Sequence, residues 1–215
     1  MDDKSKPRRW IAYERDASPI WQCIATRINV SLAAEGRPDR IKSLPAGAAL
    51  AELVDRATST AGLPGITRGS VRGTVDSLIG DTVHPTNLGR YYLALVSYAF
   101  IYGKPPVGAW HPAEINEAQA KTLQRLAGEF AAAYREHNVP LTLDQCRERL
   151  TQSFIGEYWG YTRDAYWKSE LNAVQAWFRW TRYLVKWQII ARSDSRRNPF
   201  YFDPATDRDY WFPAP

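Results

Sequence analysis

The segment Leu88–Tyr102 (LGRYYLALVSYAFIY) limits what this chain can fold into more than any other. It carries a single charge, Arg90. Apolar side chains occupy most of the circumference of the helix it would form, so no side of that helix is suited to water and other elements must surround it. Thr86 or Asn87 can cap its start. Gly103, Pro105 and Pro106 stop it. A chain of 215 residues with 45% hydrophobic content is large enough to build that surrounding layer.

The same reading predicts a helix over 20–34, with apolar residues at Ile20, Trp21, Ile24, Ile28 and Leu32, and further helices over 46–57, within 112–137, over 143–154 and over 163–192. Trp10–Tyr13 (WIAY) and Arg40–Leu44 read as short strands, Val75–Ile79 as a possible third, and Asp16–Pro19 as a turn. Ser59–Gly73 reads as a loop. Ser193–Pro215 reads as an irregular tail, packed through Phe200, Tyr201, Phe202, Tyr210, Trp211 and Phe212. Strands alternating with helices predict an α/β class. Two or three strands fall short of the roughly five of a doubly wound sheet, so the rest of such a sheet would lie outside this chain.

The net charge of +5 is local. Between Arg163 and Arg197 there are eight Lys/Arg and three acids, and 8 − 3 accounts for the whole surplus. The remainder is near neutral, which argues against a general nucleic-acid footprint. Cys23 and Cys146 lie in helical patterns outside any CxxC pair, so buried free thiols are expected, with a disulfide as the alternative. Three histidines at this spacing give no zinc site, and no metal or cofactor is expected. Met1–Arg9 is charged and lacks the apolar run of a secretory signal. No run approaches the length of a transmembrane segment. With Met1 as the natural start, the expected location is cytoplasmic.

The residues with chemical potential are Asp81 and His84, in GDTVHP. An ester hydrolase needs a base near neutral pKa to take the proton of a serine hydroxyl, and imidazole meets that need. A carboxylate on the other ring nitrogen fixes the tautomer and stabilises the imidazolium. An Asp and a His three positions apart, on a loop entering a helix, can present both on one rim. The spacing alone better describes a surface Asp and a helix-capping His.

The block GDTVHPTNLGRYYLALVSYAFIYGKPPVG resembles the last conserved block of SGNH (GDSL-type) hydrolases: a D-x-(V)-H-P element, a small turn, then an apolar helix ending in Gly and a Pro-containing stretch. Upstream, Tyr13-Glu14, Leu44-Pro45 and the Ala-rich segment after them follow a similar order. The resemblance covers roughly residues 10–134. It implies a partial flavodoxin-like three-layer sandwich, followed by a helical, aromatic-rich extension over 140–215. It also implies acyl-ester hydrolysis or transfer without metal, with His84 as base and Asp81 as its orienting acid. The family's Gly-Asp-Ser nucleophile block is absent, and so are its Gly and Asn oxyanion blocks. Ser70 and Ser77 lack a strand-to-turn elbow. A partner chain or an amino-terminal portion would have to supply the serine half, and the substrate would be a small ester or an acylated carbohydrate.

The segment 163–192 is strongly amphipathic. Trp177, Trp180 and Trp187 lie on its apolar side, and Lys168, Arg179, Arg182 and Lys186 on the opposite ridge. A helix docked on its own domain is the plain expectation. The three tryptophans could also serve as platforms for sugar rings. Alternatively, the helix makes the chain a non-catalytic interaction module for a partner or a membrane surface. Nucleic acid fits poorly, because aromatics and bases do not interleave.

Overall fold

The computed structural model describes residues 1, 3–81 and 84–205, and all of its named elements are helices. They are α1 (Arg8–Ala34), α2 (Ala46–Thr58), α3 (Val71–Leu78), α4 (Asn87–Tyr102), α5 (Glu117–His137), α6 (Leu143–Arg149), α7 (Ile155–Thr162), α8 (Lys168–Glu170) and α9 (Ala173–Arg192). π-helical turns at Leu150–Phe154 and Arg163–Trp167 join α6 to α7 and α7 to α8. The β-pairing among the described residues is an isolated bridge between Ile79 and Pro85. The expected α/β sandwich is therefore overturned: this is an all-helical fold.

The strand readings fail for a common reason, which is that four or five apolar residues carry no period of their own. Trp10–Tyr13 and the Asp16–Pro19 turn both lie inside α1, with Pro19 in its interior. Trp10, Ala17, Ile20, Cys23, Arg27 and Ser31 are buried, at steps of three, four or seven. This is one helical stripe, and its burial outweighs the roughly 3 kcal/mol that an interior proline costs. Arg40–Leu44 is irregular. Val75–Leu78 belongs to α3, whose start is capped by Ser70 accepting from the Gly73 amide.

The chain divides into two compact units. The first comprises Met1–Arg15 and Leu44–Asn138, the second Asp16–Ser43 and Val139–Pro215. In the first unit, α4 packs against α5, and α2 and α3 pack against α4. Leu53 and Val54 of α2, Val75 and Leu78 of α3, Tyr92 and Val96 of α4, and Leu123 and Leu126 of α5 are all but inaccessible. Thr86 caps α4, and Gly103, in the left-handed region at φ 69°, ends it. Its burial is not complete: Tyr98, Ile101 and Tyr102 near its end are exposed.

Gly89 sets how closely α4 can approach the end of α3. A Cβ there would collide with the Leu78 carbonyl oxygen and lie 2.8 Å from Pro85 Cβ. Leu78 ends α3 and Pro85 closes the bridged turn after it, so neither has much room to yield. Gly89→Ala is expected to lower stability by about 1–3 kcal/mol, the usual range for overpacking. Urea denaturation measures this, and an unchanged midpoint would count against the close approach.

In the second unit the thiols expected to be free are paired: Cys23 of α1 and Cys146 of α6 form a disulfide, and both are fully buried. The single long helix expected over 163–192 is broken at Leu171–Asn172. The Asn172 side chain accepts the Gln175 amide at 2.9 Å and so starts a new helix, α9. Asn198 anchors the tail by donating to the carbonyls of Ala191 (2.8 Å) and Ser193 (3.0 Å). Phe200 is buried beyond it. Tyr210, Trp211 and Phe212 lie outside the described residues. No helix among the described residues is long and apolar enough to cross a membrane.

Candidate functional site

Asp81 and His84 sit on the loop between α3 and α4, at the tip of a narrow turn. The turn is closed by the Ile79–Pro85 bridge and by the Gly80 amide donating to the His84 carbonyl at 2.8 Å. Below it, the Thr86 amide donates to the Leu78 carbonyl at 2.9 Å, and the Thr86 hydroxyl to the Ser77 carbonyl at 2.7 Å. Lys4 braces the other side, donating to the carbonyls of Ile79 (2.7 Å) and Gly80 (3.0 Å) and pairing with Asp76 (2.9 Å). That ammonium holds the Asp76 carboxyl below its usual pKa. Gly80 needs no special room: a Cβ there would make ordinary contact with the His84 carbonyl. Thr82 and Val83 lie outside the described residues.

Within this frame the Asp81 carboxylate engages His84 twice. Oδ1 accepts the His84 backbone N–H at 2.7 Å, and Oδ2 lies 2.7 Å from the ring Nδ1. The first bond fixes the direction of the carboxylate and the second fixes the ring. With Nδ1 as donor to Asp81, the other ring nitrogen, Nε2, carries the lone pair. The His84 side chain is 70% exposed, and no described residue hydrogen-bonds to that nitrogen. This is the arrangement a general base requires.

The described residues supply no nucleophile for it. Ser70 is used as the cap of α3, and Ser77 donates to the Thr74 carbonyl at 2.7 Å. Neither hydroxyl bonds to His84. A second histidine–carboxylate pair, His111 with Glu117 at 3.2 Å, differs in kind. His111 Nδ1 faces the Pro112 carbonyl at 3.2 Å, so both ring nitrogens are engaged. The Pro112 carbonyl and then Glu117 raise its pKa. This is a surface latch favouring the protonated ring, without a free basic nitrogen. No cluster of His, Cys, Asp and Glu among the described residues could hold a metal.

The three tryptophans expected as sugar platforms lie in the second unit. Trp177 is 52% exposed. Trp180 and Trp187 are half-buried, which suits them poorly as open sugar platforms. The Arg163 guanidinium lies 5.0 Å from the Trp180 ring. The cleft in this unit instead has a volume of about 600 Å³ and is lined by Trp159, Trp167, Phe178, Arg179, Arg182 and Tyr183. None of the three tryptophans expected from the sequence lines it. Trp159 and Trp167, which the sequence reading passed over, lie on α7 and on the π-helical turn after it. Their signal was the local density of rings in EYWGYTRDAYW.

α9 also shows a side the sequence did not separate from its packed one. Ala176 and Ala191 are buried, while Val174, Trp177, Phe178, Val185 and Ile189 are exposed. These five fall on a second stripe. The helix carries Arg179, Arg182, Lys186 and Arg192 and no acidic residue. Compared with known proteins, the chain matches no family model, no curated protein and no solved structure.

Proposed function

We propose that Asp81 and His84 are the acid–base half of a serine-dependent acyl hydrolase or acyl transferase, completed by a serine-bearing segment of a partner chain or a longer parent. The observation that carries this reading is the 2.7 Å contact from Asp81 Oδ2 to His84 Nδ1 between two exposed side chains. In the completed site His84 takes the proton of the serine hydroxyl as it attacks the ester carbonyl. It then returns that proton to the leaving alkoxide. Asp81 holds the ring in place and stabilises the imidazolium. A small ester or an acylated carbohydrate is the substrate class. The Cys23–Cys146 bridge supports an oxidising compartment rather than the cytoplasm as the working environment.

The test pairs the chain with a serine-bearing candidate and follows p-nitrophenyl acetate hydrolysis. The completed pair turns over, and His84→Ala removes the turnover. Turnover unchanged by that substitution would end the reading.

A second reading, binding to an anionic membrane surface through α9, is favoured by its exposed Val174, Trp177, Phe178, Val185 and Ile189 beside basic residues with no acid among them. Co-sedimentation is expected with phosphatidylglycerol-containing vesicles and not with pure phosphatidylcholine. It should weaken about ten-fold in Trp177→Ala/Ile189→Ala. Equal binding to both vesicle types, or binding that survives the substitutions, would refute it.

A further inference from the structure

The cleft in the second unit has two properties that together specify a ligand class. The first is its wall. Trp159 stacks on Tyr183 with ring centroids 4.5 Å apart and on Trp167 at 5.6 Å, both at 25°. Trp167 and Tyr183 close the triangle at 5.7 Å. Three mutually packed rings have little freedom left to lose on binding, so a flat ligand laid against them meets a surface already ordered. Phe178, 68% exposed, adds a fourth ring at the edge.

The second property is charge. The charged side chains lining the cleft are the guanidiniums of Arg179 and Arg182, and no carboxylate among the described residues lines it. The two arginines are three positions apart on α9, so they project to the same side of that helix. Arg179 is held 5.4 Å from the Trp167 ring centroid, an arrangement that leaves its N–H edge available. Neither arginine has an ion-pair partner among the described residues. Asp164, on the π-helical turn that carries Trp167, pairs instead with Arg163 at 2.7 Å and Lys168 at 2.8 Å. Two guanidiniums with no ion-pair partner among the described residues, beside an aromatic wall, suit an oxyanion attached to a flat ring. They suit a neutral sugar poorly, because the described residues of the lining offer no carboxylate or amide to take its hydroxyls.

We infer that this cleft is a binding site for a flat aromatic ring bearing an oxyanion, phosphate or carboxylate. The ring lies against Trp159, Trp167, Tyr183 and Phe178, and Arg179 and Arg182 take the anion. A volume of about 600 Å³ is in the range of small-ligand sites. The inference is independent of whether Asp81 and His84 serve an esterase, because no residue is shared.

The experiment is calorimetric titration of the full chain with 1-naphthyl phosphate, with 1-naphthol, inorganic phosphate and naphthalene-2-carboxylate as parallel arms. The two ring-bearing anions are expected to saturate one site. 1-Naphthol and inorganic phosphate should each bind at least about ten-fold more weakly, since each lacks one of the two contacts. Arg182→Gln and Phe178→Ala are both exposed substitutions that should leave the fold intact. Each should weaken 1-naphthyl phosphate by about ten-fold or more, with thermal stability unchanged. The inference is overturned if 1-naphthol binds as tightly as its phosphate, which would make the cleft merely apolar. Inorganic phosphate binding equally well, affinity indifferent to both substitutions, or the absence of saturable binding would also overturn it.

Discussion

In a complex completed by a serine-bearing chain, His84→Ala is expected to lower kcat for p-nitrophenyl acetate by about 10⁴-fold, the usual cost of removing the base from such a site. Asp81→Asn separates orientation from loop structure. The amide keeps an oxygen to accept the His84 backbone N–H, now made at 2.7 Å by Oδ1, so the turn survives. It replaces Oδ2, the partner of Nδ1, with a donor. The ring must then accept at Nδ1 and carry its proton on the nitrogen that should receive one. A loss of about 10⁴-fold with an unchanged melting temperature is therefore expected. Loss of both activity and melting temperature in Asp81→Asn would make Asp81 a loop-forming residue only. Loss of neither would remove it from the chemistry.

Opening the Cys23–Cys146 bridge is expected to cost about 4–5 kcal/mol. The two cysteines are 123 residues apart, and chain-entropy arithmetic for a loop of that length gives roughly 5 kcal/mol. Domains of this kind have only about 5–15 kcal/mol in total, so the bridge amounts to a large part of the stability of its unit. Denaturation of the wild type with and without dithiothreitol should show the difference. Cys23→Ala/Cys146→Ala should match the reduced protein and ignore the reductant. Superimposable curves in the two conditions would show that the bridge contributes nothing.

What the sequence disclosed was decided by locality. α2, α4 and α5 were legible because each has its period and its punctuation side by side, as with Thr86 and Gly103 around α4. The approach of Asp81 to His84 was legible because two intervening residues cannot take them far apart. The strand at Trp10–Tyr13 was misread because its few apolar residues gain their period only when Ala17, Ile20 and Cys23 continue it through a proline that ordinarily marks a break. The break at Asn172 was hidden because that residue also fits the polar ridge of a longer helix. The disulfide and the cleft depend on contacts between distant segments. Cys23 with Cys146, and Trp159 with Tyr183, meet only after packing, and no spacing rule reaches them.

The second unit is assembled from residues 16–43 and from those after 138, with the body of the first unit encoded between them. A ribosome therefore releases Cys23 long before Cys146 exists, and the early thiol must stay reduced and unclaimed while the intervening stretch is made. These 215 residues hold two cysteines, so no wrong bridge can form among them. Any error in oxidation joins two molecules, so mishandled maturation would appear as covalent dimers on a non-reducing gel rather than as scrambled monomers.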